Sequence, residues 1–384
     1  MNNKVTHFNS VSLFISASFI SLVFSFLWMF LGDSWEISGD ALHYMDLYNN
    51  QIAKSPFGYR ILTPYLASLL PWDAITNFTI VTLTSLSFAS GAILLYAKKL
   101  GIPRLNIIFI FVLWATSYPF IYYGTTFVRA DSPIFFLIAL TILLSKYHTS
   151  AIVLLVLLAI GTLFHEMVMI VIPMLWLDRL FLGSLSGGKK YNYRQLLLIT
   201  FGTLSFYMIT KIIIPTNPNT SMSYLNSPIA MFTHILDYTG GSIKHILRIY
   251  ASFGPVMLFS IFYILFINKK VSDILVYFGL FFIVAAATFL AADTLRVMAI
   301  FYFPIIIYGS YFLISIWVKG HYITTILLLL LQVSYTFIVY LNLRTFESSI
   351  LWNVIAGGIS LITLLLCFFE IRKKSKDIYE ISHI

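Results

Sequence analysis

The sequence predicts an all-α, polytopic helical membrane protein, and three observations predict it. Hydrophobic residues make up 59% of the 384 residues and charged residues only 10%, against roughly 25% charged in soluble domains. Apolar stretches of about 20 residues, the length at which a helix crosses a bilayer, recur between short polar breaks. The basic residues gather in alternate breaks, which is how cytoplasmic loops are marked. Barrel strands would instead alternate over about 10 residues. A two-domain soluble enzyme is excluded. The single Cys367 allows no internal disulfide, thiolate metal cluster or CxxC redox pair.

Taken in order, spans are predicted over 10–32, 75–97, 106–123, 132–146, 149–165, 167–182, 195–214, 249–268, 274–291, 297–317, 322–341 and 350–370, about twelve in all. The first is too long for a signal peptide and lacks a small-residue cleavage site after Phe30-Leu31, so a retained helix is expected. The spans over 132–146, 149–165, 167–182 and 297–317 are short or carry Pro133, Pro173 or Pro304, and partial or tilted crossings are expected there. The whole of 1–384 reads as one integral membrane domain. It has a first extracytoplasmic loop at about 33–74, a second larger outward loop at about 215–248 and a cytoplasmic tail at 371–384.

With the N-terminus inside, one face collects sixteen of the 24 basic residues, among them Lys98, Lys99, Lys146, Arg179 and Lys270, but only five of the 15 acidic ones. The positive-inside rule then places both termini in the cytoplasm of a bacterial inner membrane. The net charge of +9 is therefore topological and no sign of a nucleic-acid partner. Gly183-Ser-Leu-Ser-Gly-Gly-Lys-Lys lacks the spacing of a phosphate-binding loop and reads as a basic turn.

The remaining charges lie in outward loops and at outward helix ends, where idle charge is expensive. In the first loop Asp40, His43 and Tyr44 fall at i, i+3 and i+4, so one helical turn puts all three on one face while Asp46 points elsewhere. Leu62, Tyr65, Leu66 and Leu69-Leu70 then recur as a helix lying in the outer leaflet would require. Three further clusters end outward: Arg129 and Asp131 before Pro133, His165 with Glu166, and Asp293 with Arg296. Convergence of these clusters on one cavity is expected. The plainer account has Asp131 capping its helix, Asp293 neutralising Arg296, and Glu166 pairing with Arg129 or Arg60. Asp40 has no obvious partner in sequence. His234 and His245 read as ordinary loop histidines, and Asp33, Glu36, Asp73 and Glu347 as interfacial anchors. Arg60, Arg129, Arg248 and Arg296 suit a phosphate or diphosphate, whose oxygens guanidinium groups match bidentately. Trp35, Tyr44, Tyr59, Trp72 and Tyr224 offer faces for sugars, although an interfacial aromatic belt accounts for most of them. A hydroxyl acceptor, a carboxylate base and a lipid phosphate leaving group together describe glycosyl transfer.

Gly39-Asp40-Ala-Leu-His-Tyr44 followed by Tyr59-Arg60-Ile-Leu-Thr-Pro64 resembles the polytopic GT-C glycosyltransferases, in particular bacterial integral-membrane sugar transferases. Arg129-Ala-Asp131-Ser-Pro133 and Asp293-Thr-Leu-Arg296, with Phe303-Pro304 beyond it, are similar to later polar stretches of that superfamily, so the resemblance covers roughly residues 10–310. It implies transfer of a sugar from a polyprenyl-phosphate donor to a cell-envelope glycan or glycolipid acceptor on the outer face. Asp40 and Asp131 are then the candidate catalytic carboxylates, with Asp40 the base. His43, Tyr44, Tyr59, Arg60, Arg129, His165, Glu166, Asp293 and Arg296 are the candidate substrate-binding residues, with Arg296 on the phosphate. Two features depart from the pattern. No large soluble domain follows the last span, and the first loop has no clean Asp-x-Asp or Asp-Glu pair. A divalent metal is therefore not supported, and a metal-free mechanism with no cofactor is expected.

Two alternatives remain. An O-antigen or capsule polymerase would carry two large outward loops rich in Arg, whereas 215–248 holds Arg248 only at its end. A lipid-sugar flippase or transporter would show midplane charges and two related halves, and 1–190 does not resemble 191–384 in pattern.

Overall fold

The computed structural model describes residues 9–31, 40–53, 57–126, 128–129, 131–147, 149–181, 185, 191–215, 242–288, 294–337, 354–355, 357–362 and 365. Among these the chain is helical throughout, with no strand. Four helices are long and apolar enough to cross a membrane: α1 (Ser10–Leu31), α4 (Ala74–Lys99), α10 (Tyr193–Ile213) and α13 (Val271–Thr288). The count reaches six if each of two bent pairs is one span. These are α5 (Arg104–Ala115) with α6 (Tyr118–Thr125), bent by 48°, and α11 (Ser242–Ala251) with α12 (Pro255–Phe262) and its π-helical continuation Tyr263–Asn268, bent by 84°. The structure thus supports an integral membrane protein with four to six spans by length. Of four shorter apolar helices, α7 (Ser132–Lys146) matches its predicted span, while α8 (Ala151–Phe164), α15 (Tyr302–Val318) and α16 (Tyr322–Tyr335) begin later or end earlier than the spans predicted there. Most of the predicted span at 350–370 lies outside the described residues.

The prolines expected to interrupt spans instead begin helices. Pro133 is the second residue of α7, Pro173 the third of α9 (Val171–Leu180) and Pro304 the third of α15. In a first turn the amide proton that proline lacks would have no intrahelical acceptor, and the fixed φ suits the helix. The predicted span at 297–317 breaks before its proline, between α14 (Thr294–Ala299) and α15.

α4 is the central helix, with 67% of its most apolar stretch buried, whereas α10 buries 17% of its own and runs along the outside. Lipid removes most of the hydrophobic drive between helices, so contact rests on close packing and polar bonds. Ser21 of α1 and Ser90 of α4 meet hydroxyl to hydroxyl at 2.7 Å, and Trp114 Nε1 donates to the same Ser90 oxygen at 2.7 Å. A Cβ on Gly309 of α15 would stand 2.7 Å from Val256 Cγ2 and 3.2 Å from the Val256 carbonyl oxygen. Only glycine lets those backbones approach so closely.

Both bends expose backbone groups that hydrocarbon cannot satisfy, and α16 supplies partners for both. Gln332 Oε1 accepts Val256 N–H at 3.0 Å in the first turn of α12, and its Nε2 donates to Thr116 O at 3.1 Å in the α5–α6 bend. Thr336 Oγ1 donates to the same carbonyl at 2.8 Å. At the second bend Gly254 has φ +63°, and a Cβ there would strike the Tyr335 ring.

The helices bring like ends together. At one end Lys98 Nζ donates to Ser10 Oγ at 2.9 Å, Lys99 lies 4.5 Å over the Tyr147 ring, Lys146 6.0 Å over Tyr96 and Arg179 5.1 Å over Tyr193. The opposite end carries the short helices α2 (Asp40–Tyr48) and α3 (Leu62–Ser68), the 3-10 turn Phe57–Tyr59 between them, the start of α7, the end of α8 and α14. Tyr65, Leu69 and Trp72 are exposed on and after α3, as a helix lying in an interface requires.

Candidate functional site

Three arginines, three carboxylates and one histidine from four separate stretches of chain interlock at this second end. α2 begins at Asp40 and closes one turn later on Tyr44, so the i, i+4 pair faces inward together. Asp40 Oδ2 meets Arg129 Nη1 at 3.0 Å and also accepts from Arg296 Nη1. Tyr44 is fully buried, and its hydroxyl accepts from Arg60 Nη1 at 3.0 Å. His43, expected on the same face, makes no contact with the cluster: it stacks on Phe57 at 4.7 Å, with Nδ1 3.7 Å from Asp46. The Arg60 guanidinium lies over the same Phe57 ring at 5.5 Å, so His43 supports the turn that delivers Arg60.

Arg60 grips Glu166 bidentately, Nε to Oε2 at 3.1 Å and Nη2 to Oε1 at 2.7 Å. Of the two partners the sequence offered Glu166, the structure selects Arg60. Asp131 stands at the N-cap of α7 but in helical backbone conformation, with no capping hydrogen bond. Its side chain instead accepts from Tyr123 Oη at 2.8 Å, from Arg296 Nε at 2.9 Å and from Arg296 Nη2. Arg296 therefore bridges two carboxylates, Asp131 behind it and Asp40 in front. Asp293, its expected neutraliser, lies outside the described residues. The expectation that Asp40 lacks a partner is overturned, because its two partners stand 89 and 256 positions along the chain.

His165 follows the end of α8, outside the helical spans, and is 1% exposed. Its Nδ1 accepts the Met167 N–H at 3.2 Å, and its Nε2 faces Asp131 Oδ1 at 3.4 Å. Burial, with Arg60 adding to it, lowers the imidazole pKa to about 4, so the ring is neutral at pH 7 with its proton on Nε2. Burial pulls Asp131 and Glu166 upward, but Arg296 beside Asp131 and Arg60 beside Glu166 outweigh it and hold both carboxyls well below the usual range. Burial also pushes the Tyr44 phenol up to about 12. Three guanidiniums thus balance three carboxylates around a neutral histidine. Removing either partner of such a buried pair leaves an uncompensated charge.

Exposure grades across the cluster. The Asp131 side chain is 3% exposed and Arg296 10%, while Asp40 is 29%, Glu166 26% and Arg129 16%. Asp131 and His165 form the buried floor, and Asp40 with Arg129 forms its more exposed rim. Tyr59 does not enter the floor; its ring faces the Lys211 ammonium at 5.5 Å. Tyr123 and Lys211 are not legible as site residues in the sequence: Tyr123 sits eight residues before Asp131 in a run of aromatics that reads as a belt, and Lys211 near the end of an apolar run has no local pattern that marks it.

Other expectations fall differently. Asp73 caps α4, accepting from Thr76 N–H at 3.1 Å and Thr76 Oγ1 at 2.5 Å. His245 belongs to helix α11 rather than a loop, 1% exposed, with Nε2 2.9 Å from Thr288 Oγ1. Trp35, Glu36, Tyr224, His234 and Glu347 lie outside the described residues. Among the described residues no group of three or more His, Cys, Asp or Glu converges to hold a metal ion.

The class of protein this defines is a helical membrane protein with a balanced arginine–carboxylate cluster at one end of its bundle. Comparison with protein-family models, curated proteins and solved structures yields no match, so the site itself must carry the functional argument.

Proposed function

We propose that the chain is a membrane glycosyltransferase of the GT-C type, transferring a sugar from a polyprenyl-phosphate donor to a hydroxyl of a cell-envelope glycan or glycolipid. The observation that carries this reading is the meeting of Arg129 and Arg296 at the partly exposed Asp40, with Arg296 anchored from behind by Asp131. Two guanidiniums side by side match a phosphate. A donor phosphate takes N–H groups now directed at Asp40, freeing an Asp40 lone pair to face the acceptor hydroxyl. The hydroxyl oxygen bonds to the anomeric carbon of the sugar as the bond from that carbon to the phosphate oxygen breaks. Asp40 takes the hydroxyl proton, and the lipid phosphate leaves with the bonding electrons, neutralised by Arg129 and Arg296.

Asp131 does not serve as the base in this reading. A carboxyl held far below the usual range is a weak proton acceptor, and burial behind Arg296 removes it from the acceptor's reach. It positions Arg296 instead, as Glu166 positions Arg60. In the same reading the chain has about twelve spans in a bacterial inner membrane, with the lysine-rich end and both termini in the cytoplasm. The gathering of Lys98, Lys99, Lys146 and Arg179 at the end opposite the cluster supports that orientation. No divalent metal is assigned, since arginines meet the phosphate charge.

The test uses the purified protein in lipid nanodiscs, given polyprenyl-phosphate sugars with labelled sugar and an extract of envelope glycan. Transfer of label into glycan is expected. Movement of the lipid-linked sugar between leaflets with no transfer would replace the enzyme with a flippase.

A further inference from the structure

Lys211 lies on the last turn of α10, a helix whose described surface is mostly open to lipid. Phe201 is 61% exposed, Met208 59% and Ile212 84%, while Leu196, Ile199 and Thr203 form its buried side. A charge on such a surface is expensive and tends to be functional. The Lys211 side chain is exposed, yet it is held in place: Nζ stands 4.5 Å from the Tyr207 ring centroid and 5.5 Å from that of Tyr59. Both lie within cation–π range, and the helix C-terminus favours a cation there.

The two rings tie Lys211 to the cluster. Tyr59 directly precedes Arg60, and Tyr207 lies within electrostatic reach of Glu166 and Arg60. Glu166 is the carboxylate on that flank, and Arg60 already grips it bidentately. Among the described residues no carboxylate lies within ion-pair distance of Lys211. Three arginines answer three carboxylates inside, so Lys211 adds a positive charge beyond that balance on the lipid-facing flank. Its ammonium has three N–H donors. The Tyr207 hydroxyl also engages the ammonium as a hydrogen-bond partner, which occupies one of its three N–H donors, so donors remain for a ligand.

We infer that Lys211 is the lipid-side capture residue for the phosphate of a polyprenyl-phosphate lipid, meeting it at the bilayer flank before it reaches Arg129 and Arg296. This rests on the proposed transferase reading for the identity of the lipid. A lysine that merely snorkels toward headgroups would anchor α10 to any phospholipid and leave the donor unaffected.

The experiment compares wild type, Lys211→Gln and Lys211→Arg, each full length in phosphatidylcholine nanodiscs. Association of a fluorescent long-chain polyprenyl phosphate is measured by stopped flow. Transfer is measured with long-chain and with water-soluble citronellyl-phosphate sugar donors. K211Q is expected to associate about tenfold more slowly, the scale of electrostatic steering. Its kcat/KM for the long-chain donor should fall by the same factor at unchanged kcat, with the citronellyl donor unaffected and K211R restoring both. A wild-type association rate in K211Q overturns the capture role and leaves the transferase untouched. Equal losses with both donors also overturn it, making Lys211 part of the site proper. Lys211-dependent association without any transfer overturns the transferase and keeps the capture role. A wild type that does not bind polyprenyl phosphate overturns both.

Discussion

The two ends of the bundle use charge in opposite ways. At one end lysines rest on tyrosine rings or a serine hydroxyl, and an ion pair there, Lys270 with the buried Asp273, is 4.0 Å long with the lysine 48% exposed. Each such contact joins a cation to whatever polar or aromatic group stands nearby, and exposed pairs contribute about 0–1 kcal/mol. At the other end Arg296 answers two carboxylates at once, and Arg60 answers a carboxylate and a phenol. A charge that labels topology needs only to lie on the correct side of the membrane. A charge that does chemistry needs a fixed direction, and it acquires one only from partners distant in sequence.

That contrast is broken most sharply at Asp40. In the proposed transferase Asp40→Asn keeps the shape but loses the proton acceptor, and transfer should fall by about 10²- to 10⁴-fold with expression and insertion unchanged. Equal turnover by the Asn variant would remove Asp40 from the base role. Arg296→Ala comes next. It strips the buried Asp131 of its guanidinium, and thermal unfolding in nanodiscs should show a loss of about 3–5 kcal/mol together with weaker binding of polyprenyl phosphate. Arg296→Lys retains the charge but not the fork that bridges two carboxylates, so it should recover stability more than donor binding. Intact stability in R296A would mean that the bridge between Asp131 and Asp40 is not formed.

Half of this cluster can be read along the chain. The i, i+4 spacing of Asp40 and Tyr44 places both on one face of a turn, and the outward position of each polar stretch follows from the alternation of spans. The pairings cannot be read that way. Asp131 before a proline-led helix has the pattern of an N-cap, and its failure to cap follows from Arg296, 165 positions away, which offers a full charge where the helix offers partial ones. Arg296 likewise reaches Asp40 and Asp131, 256 and 165 positions away, which no local spacing announces. The fold shows the same division. Apolar length marks α1, α4, α10 and α13, because a bilayer imposes length. It does not mark the bends at Thr116 and Gly254, whose partners lie on α16 in Gln332 and Thr336.

Acid should separate the ends further. The buried imidazole of His165 has its pKa lowered from 6.5 to about 4, so stability is full above pH 6.5 and falls as the unfolded chain takes up a proton the folded chain refuses. At about 1.4 kcal/mol per unit, pH 5 should cost about 2 kcal/mol, and the loss should level off below about pH 4. Asp131 and Glu166, held low, contribute stability that is present at neutral pH and is lost only below the usual carboxylate range. His165→Asn should therefore flatten the unfolding profile between pH 6.5 and 4 and leave the steeper acid limb in place. An unchanged profile would mean that the ring is not buried neutral against Asp131.

The smallest effect belongs to the lysine-rich end. The exposed Lys99 lies over the Tyr147 ring, and the half-buried Lys146 stands 6.0 Å from the buried Tyr96 ring, at the outer edge of cation–π range; such contacts are worth about 0.5–1 kcal/mol at exposed sites and weaken with distance. Lys99→Gln and Lys146→Gln should each change stability by no more than that and leave transfer at the wild-type rate. In the proposed topology these residues supply orientation, which is set by the sum of positive charges on a face and tolerates the loss of one. Removing several together, Lys98, Lys99 and Lys146 in one variant, should instead appear as a fraction of molecules inserted the other way round. Site-directed labelling of single cysteines placed at the two ends of α4, in a background with Cys367 replaced, measures that fraction. A single lysine variant that lost transfer without any inverted fraction would bring the two ends into one chemistry and undo the contrast between them.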